Sequence, residues 1–83
     1  MTRTELDEAL KEVFGDMFDI EPSEITAETS PDTLSNWDSL AHVRLISALE
    51  ERFAVRIPPE DQVDMLTFEL VGDVIGEKLG AQS

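Results

Sequence analysis

Chemistry in this chain centres on the run Trp37-Asp38-Ser39-Leu40, which stands before an amphipathic stretch near the middle of the sequence. It places one serine hydroxyl at the start of a helix. A helix N-terminus presents unpaired N–H groups and the positive end of the macrodipole. A phosphate ester on Ser39 would therefore lie in a stabilising field. Asp38 and Ser39 are also ordinary helix-capping residues, so the pair supports two readings, a cap and a modification site. The setting, with a long loop before the tripeptide and an amphipathic helix after it, favours Ser39 as a covalent attachment point rather than a catalyst.

Other groupings are poorer in chemistry. Asp38, Ser39 and His42 suggest a nucleophile with a base, since positions i and i+3 are neighbours on a helix. Asp38 and Ser39 are adjacent, however, and point in different directions, which spoils a Ser-His-Asp relay. No glycine-rich turn offers an oxyanion hole, and no catalytic residue is expected. His42 reads as a surface or partner-facing residue. Glu60, Asp61 and Asp64 read as a solvated helix face. The acidic stretch from Asp16 to Asp38 lacks the alternating ligands and central glycine of a calcium loop, so no metal site is expected.

Composition narrows the classes further. Eighty-three residues correspond to one domain, 1–83, with room for a single core. Nineteen acidic residues face six basic ones, a formal charge of −13. That balance argues against nucleic acid and anionic membrane as partners and favours basic protein surfaces or, more simply, solubility. There is no cysteine, hence no disulfide, thiolate metal site or cysteine nucleophile. The N-terminal run Thr2-Arg3-Thr4-Glu5 has no apolar signal region, and a cytoplasmic monomer is expected.

The elements that must position Ser39 read as helices. Thr2 and Glu5 form a capping box for a first helix from about Thr4 to Phe18. Leu6, Leu10, Val13 and Met17 make its apolar stripe, widened by Phe14 and Phe18. Gly15 interrupts that helix for no evident reason. From Asp19 to Trp37 runs a loop rich in Pro, Ser, Thr, Asp and Glu, pinned by Ile20, Ile25 and Leu34, with a short turn over Pro22 to Ile25. The second long helix starts at Asp38 or Ser39 and carries Leu40, Val43, Leu45, Ile46, Ala48, Leu49 and Phe53; it ends before Pro58-Pro59. A short third helix is predicted from Glu60 to Leu66. Thr67 caps a last helix bearing Phe68, Val71, Val74, Ile75 and Leu79, with Gly80 as its stop. The fold class is all-α, a small bundle of three longer helices and a short third one.

Asp38-Ser39-Leu40, followed by Ala48-Leu49-Glu50-Glu51-Arg52-Phe53 and then Ile57-Pro58, is a specific combination, and with it nearly the whole chain resembles an acyl carrier protein. The resemblance implies a four-helix fold that is not itself an enzyme. It implies that the phosphate of 4′-phosphopantetheine, taken from coenzyme A by a phosphopantetheinyl transferase with Mg²⁺, esterifies Ser39. The arm's thiol then holds acyl groups as thioesters. Asp38 would orient the modified turn and Leu40 would flank it. Leu40 and Val43 would give apolar contact to partner enzymes, and Arg44, Glu50 and Glu51 charged contact; for Val43, core packing is the competing reading. Acyl-activating, acyltransferase or ketosynthase enzymes with basic docking surfaces are the implied partners.

The chain departs from fatty-acid carriers at Ala41, Arg44, His42 and Ser47, which leave the start of the second long helix less negative. Trp37 is closer to stand-alone carriers of specialised or secondary-metabolite (polyketide or fatty-acid-like) pathways, or serves as a hydrophobic plug. A carrier of activated amino acids and an unmodified acidic interaction module are the alternatives; the glycine-rich approach of peptidyl carriers is replaced by Ser35-Asn36-Trp37. A groove between the second and last helices, lined by Leu45, Leu49, Phe68 and Val71, is expected to shelter a short acyl chain.

Overall fold

In the computed structural model, which describes residues 2–82 with side chains through 80, the chain forms α1 (Arg3–Phe18), a 3₁₀ turn (Pro22–Glu24), α2 (Ser39–Phe53), α3 (Pro59–Gln62) and α4 (Phe68–Gln82). No strand occurs among the described residues. The all-α expectation holds, and each boundary has a local cause.

The start of α1 is set by Thr2. The Glu5 N–H donates to Thr2 Oγ1 at 3.2 Å, and the Thr2 N–H donates to Glu5 Oε1 at 2.8 Å, the reciprocal pair expected of a capping box. The buried face of α1 is Leu6, Leu10, Phe14 and Phe18, an i+4 ridge. Val13 and Met17, placed at the centre of the stripe by spacing alone, are only partly buried at its flank. Gly15 has its reason here: the chain turns sharply at Asp19 (φ 55°), and a Cβ on Gly15 would lie 3.1 Å from the Ile20 carbonyl oxygen.

Among the described residues the core contains sixteen buried apolar side chains, drawn from α1, α2, α4 and the loops. Phe14 is its hub, with ring centroids 5.4 Å from Trp37, 5.1 Å from Phe68 and 5.6 Å from Phe18. Edge-to-face and tilted pairs of this kind are favoured by the ring quadrupoles. Trp37 thus plugs the end of the long loop into the bundle.

Ile25 is buried as a loop pin, while Ile20 and Leu34 are half-buried. Hydrogen bonding does the rest. The Phe68 N–H donates to the Thr29 carbonyl at 2.8 Å and the Glu69 N–H to the Ala27 carbonyl at 3.2 Å, so the loop satisfies donors at the start of α4. The Asn36 amide donates to the Phe18 carbonyl at 3.0 Å, tying the far end of the loop to the last turn of α1.

Two helix ends differ from expectation. α3 stops at Gln62, and residues 63–67 turn back toward α4. Gly80 is not a stop: α4 runs through it to Gln82. Thr67 does cap α4, accepting the Leu70 N–H at 3.1 Å.

Candidate functional site

Asp38 and Ser39 divide the two roles that the sequence left open. Asp38 is the N-cap of α2, and its Oδ1 accepts the Ala41 N–H at 2.9 Å while its carbonyl accepts the His42 N–H at 2.9 Å. Ser39 is the first helical residue and is exposed, and its hydroxyl makes no hydrogen bond among the described residues. The N–H groups of Ser39 and Leu40 remain as the orphan donors of the helix start. A nucleophilic oxygen therefore stands free at the positive end of a four-turn helix.

Beside it lies an open hollow of about 700 Å³, lined by Ser39 and Asp38 with Pro31, Trp37, His42, Pro59, Gln62, Val63, Met65 and Leu66. Its walls come from the end of the long loop, the first turn of α2 and the α3 segment. The groove expected between α2 and α4 is absent as an open space: Leu45, Leu49 and Val71 are fully buried and Phe68 nearly so. Those side chains are consumed by the core, so the open apolar surface falls on the other side of α2.

On α2 and on the segment after α3, large apolar side chains stay in water. Leu40, Val43, Val63 and Leu66 are 63%, 62%, 68% and 57% exposed. Val43 is therefore a surface residue and not part of the core. Of the four, Val63 and Leu66 line the hollow itself, and Leu40 and Val43 lie on the first turns of α2. Arg44 and Glu51 are exposed on the same helix. Glu50 is turned partly inward, with Oε2 accepting the Ile57 N–H at 2.9 Å, and so holds the α2–α3 connection.

His42 is not the free surface residue that its spacing suggested. It is half-buried, its Nδ1 accepts from Trp37 Nε1 at 3.1 Å, and its Nε2 lies 3.0 Å from the Gln62 carbonyl. Both ring nitrogens point away from Ser39's role, and no relay with Asp38 exists because that carboxylate caps the helix. No cluster of metal-ligating side chains is present among the described residues. Val63, Met65 and Leu66 were not picked out by sequence, although two apolar residues three apart beside an acidic short helix were a usable signal.

The phosphopantetheine attachment site family model matches residues 8–75, spanning Ser39 and the helices on both sides of it. The chain belongs to the acyl carrier protein family. It is 37% identical over 81 residues to the acyl carrier protein of Thermosynechococcus vestitus, covering 98% of this chain and 100% of that one. It is 36% identical over 74 residues to the meromycolate extension acyl carrier protein of Mycolicibacterium smegmatis, covering 89% of this chain and 72% of the relative. The fold matches the solution NMR structure of the holo acyl carrier protein from Geobacter metallireducens with a TM-score of 0.83 and 28% identity, over 92% of this chain and 87% of that one. Proteins of this family are carriers rather than enzymes, and their cofactor is covalently attached 4′-phosphopantetheine. Members of the family work in general with synthase and transferase enzymes. No helix among the described residues is long and apolar enough to cross a membrane.

Proposed function

We propose that Ser39 is the residue that bears the phosphopantetheine arm, and that the chain is a single carrier domain serving a specialised or secondary-metabolite acyl pathway. The observation that carries the assignment is the exposed, unpartnered Ser39 hydroxyl at the first position of α2, with the cap role taken by Asp38. The residues present fit the group. A phosphodiester at Ser39 meets the orphan N–H groups of Ser39 and Leu40 and the helix dipole. The remainder of the arm meets an apolar hollow within reach of the same hydroxyl. When attached, the arm supplies the thiol that the cysteine-free chain lacks.

Each neighbouring residue then has a distinct task. Asp38 holds the first turn in shape through the Ala41 N–H and places a carboxylate beside the serine. Leu40 and Val43 offer apolar contact to a phosphopantetheinyl transferase and to acyl-activating, acyltransferase or ketosynthase partners. Glu51, with Glu50's outer oxygen, offers negative charge to their basic surfaces, while Arg44 requires an acidic or neutral counterpart there. Ala41, His42 and Arg44 leave the first turns of α2 near neutrality in a chain of −13. That local neutrality supports a dedicated set of partners over a general fatty-acid synthase.

The test is intact-protein mass before and after incubation with coenzyme A, Mg²⁺ and a broad-specificity phosphopantetheinyl transferase. The wild-type chain is expected to gain one phosphopantetheine group and Ser39→Ala none. A gain that persists in Ser39→Ala would move the attachment elsewhere.

A further inference from the structure

We infer that His42 is a positioning residue, a proton-sensitive latch that ties the α3 segment to Trp37 and so sets the shape of the hollow beside Ser39. The indole nitrogen of Trp37 is a donor only, and the Gln62 carbonyl is an acceptor only. His42 lies between them, 3.1 Å from Trp37 Nε1 and 3.0 Å from the Gln62 oxygen. Both contacts are satisfied together only by the neutral ring that carries its proton on Nε2. The two ring planes are within 22° of parallel, with centroids 6.1 Å apart.

The three groups span the hollow. Trp37 is anchored in the core by Phe14 and Phe18, with centroids 5.4 and 5.7 Å away. Gln62 ends α3, and its own amide donates to the Ile57 carbonyl at 2.8 Å. α3 has no buried side chain of its own, so it is held by such bonds rather than by packing. On its far side it is held by the ion pair of Lys78 with Asp61, 2.6 Å. His42 supplies the hold on the near side, and Val63 and Leu66, which line the hollow, follow directly on in sequence.

Protonation of Nδ1 turns its lone pair into an N–H that faces the Trp37 N–H, and the link between Trp37 and α3 is lost. Among the described residues that line the hollow with His42, Asp38 is the one other titratable group, and its Oδ1 is engaged by the Ala41 N–H. Glu60, Asp61 and Asp64 belong to the α3 segment but not to the hollow's lining, and Asp61 is engaged with Lys78. The latch therefore depends on the protonation state of the ring, because only the neutral Nε2–H form makes both contacts. Its effect on a carried group rests on the reading of Ser39 as the attachment point; the latch itself does not.

The chain has one histidine and one tryptophan, so both partners can be read without ambiguity by ¹⁵N–¹H NMR on the full-length, unmodified protein. Near neutral pH the ring nitrogens are expected to show the Nε2–H tautomer. As His42 titrates, the Trp37 Nε1–H and the amides of Gln62, Val63 and Leu66 shift with the same midpoint, and indole exchange speeds up roughly five- to tenfold, the worth of one hydrogen bond. His42→Asn, which keeps an acceptor near Nδ1, retains the slow indole exchange and loses its pH dependence; His42→Ala loses both. The Nδ1–H tautomer at neutral pH, or indole and α3 signals that stay flat through the titration, would overturn the latch. Failure of arm attachment at Ser39 would leave all these signals unchanged, so the two readings fail separately.

Discussion

The α1–α4 face and the face around Ser39 are made from similar residues and treat them in opposite ways. On the first, Arg3 closes the seam: its Nη1 donates to Asp73 at 2.9 Å, its Nε to Asp7 at 3.0 Å and its Nη2 to the Glu69 carbonyl at 3.3 Å. The hydrogen bond to Asp73, then that to Asp7, pushes the Arg3 guanidinium above its ordinary value. Apolar side chains behind that seam are buried. On the second face the serine hydroxyl is unpartnered and four large apolar side chains are mostly in water. The core does not lack apolar residues, having sixteen of them, so this exposure is not a packing shortfall. One face is closed within the chain, whereas the other keeps its apolar side chains in water, where the proposed partners would meet it.

Mutations that break the comparison should separate stability from function. The largest effect is expected on the finished side. Phe14→Ala removes the ring shared by Trp37, Phe18 and Phe68 and should cost about 3–5 kcal/mol in urea unfolding. A domain of this size is stable by only about 4–12 kcal/mol, so the variant should be largely unfolded at modest temperature. A cost near 1 kcal/mol would mean that the aromatic cluster is looser than its centroid distances imply.

The Asp38–Ser39 pair sharpens the contrast within two adjacent residues. Asp38→Ala should lose about 1 kcal/mol as a helix cap. Ser39→Ala should change stability by no more than about 0.5 kcal/mol, because its hydroxyl holds nothing in the fold. Equal losses in denaturant melts would show that both residues cap α2.

Charge acts on both faces at once. Salt weakens the exposed pairs of Arg3 and Arg52 but also screens the repulsion among nineteen acidic residues against six basic ones. Exposed pairs are worth little, so repulsion should dominate. Raising salt from low to physiological should lift the melting temperature by roughly 4 °C, equivalent to about 1 kcal/mol in a small domain. A flat or falling response would reverse that ranking.

Lys78 gives the pH test. Its hydrogen bond with Asp61 raises its pKa above the usual lysine value. A folded-state value above the unfolded one means the contribution is complete below the unfolded pKa, about 10.4. It is lost as pH climbs through the raised value. Unfolding midpoints should therefore fall above about pH 10, and Lys78→Met should flatten that part of the profile. The smallest effect on stability belongs to the open face: Leu40→Ala with Val43→Ala should stay within about 0.5 kcal/mol of wild type while slowing transfer by partner enzymes. A large destabilisation would return both residues to the core.

What was legible in the sequence was what local contacts decide. The Thr2–Glu5 capping box joins residues three apart and is legible in sequence, as are the helix count and the Thr67 cap. The choice between Asp38 and Ser39 as cap depends on backbone angles at one residue, which composition does not specify. Gly15 needed the path of the chain at Ile20, and Gly80 was read as a stop although α4 continues through it. The missing groove is a packing result: Leu45, Leu49, Phe68 and Val71 have the right character, but the other helices fill the space between them. His42 was misjudged because its partners are Trp37, five residues back, and Gln62, twenty residues on, and a helical pattern carries no sign of the second.

The measurement that bears most directly on the central claim is fragmentation mass spectrometry of the phosphopantetheine-bearing chain, to locate the modified residue. The added group is expected on the fragment carrying Ser39, and on no other serine. Its appearance on Ser35 or Ser47, or on any residue away from the start of α2, would contradict the division of roles between Asp38 and Ser39 on which the account rests.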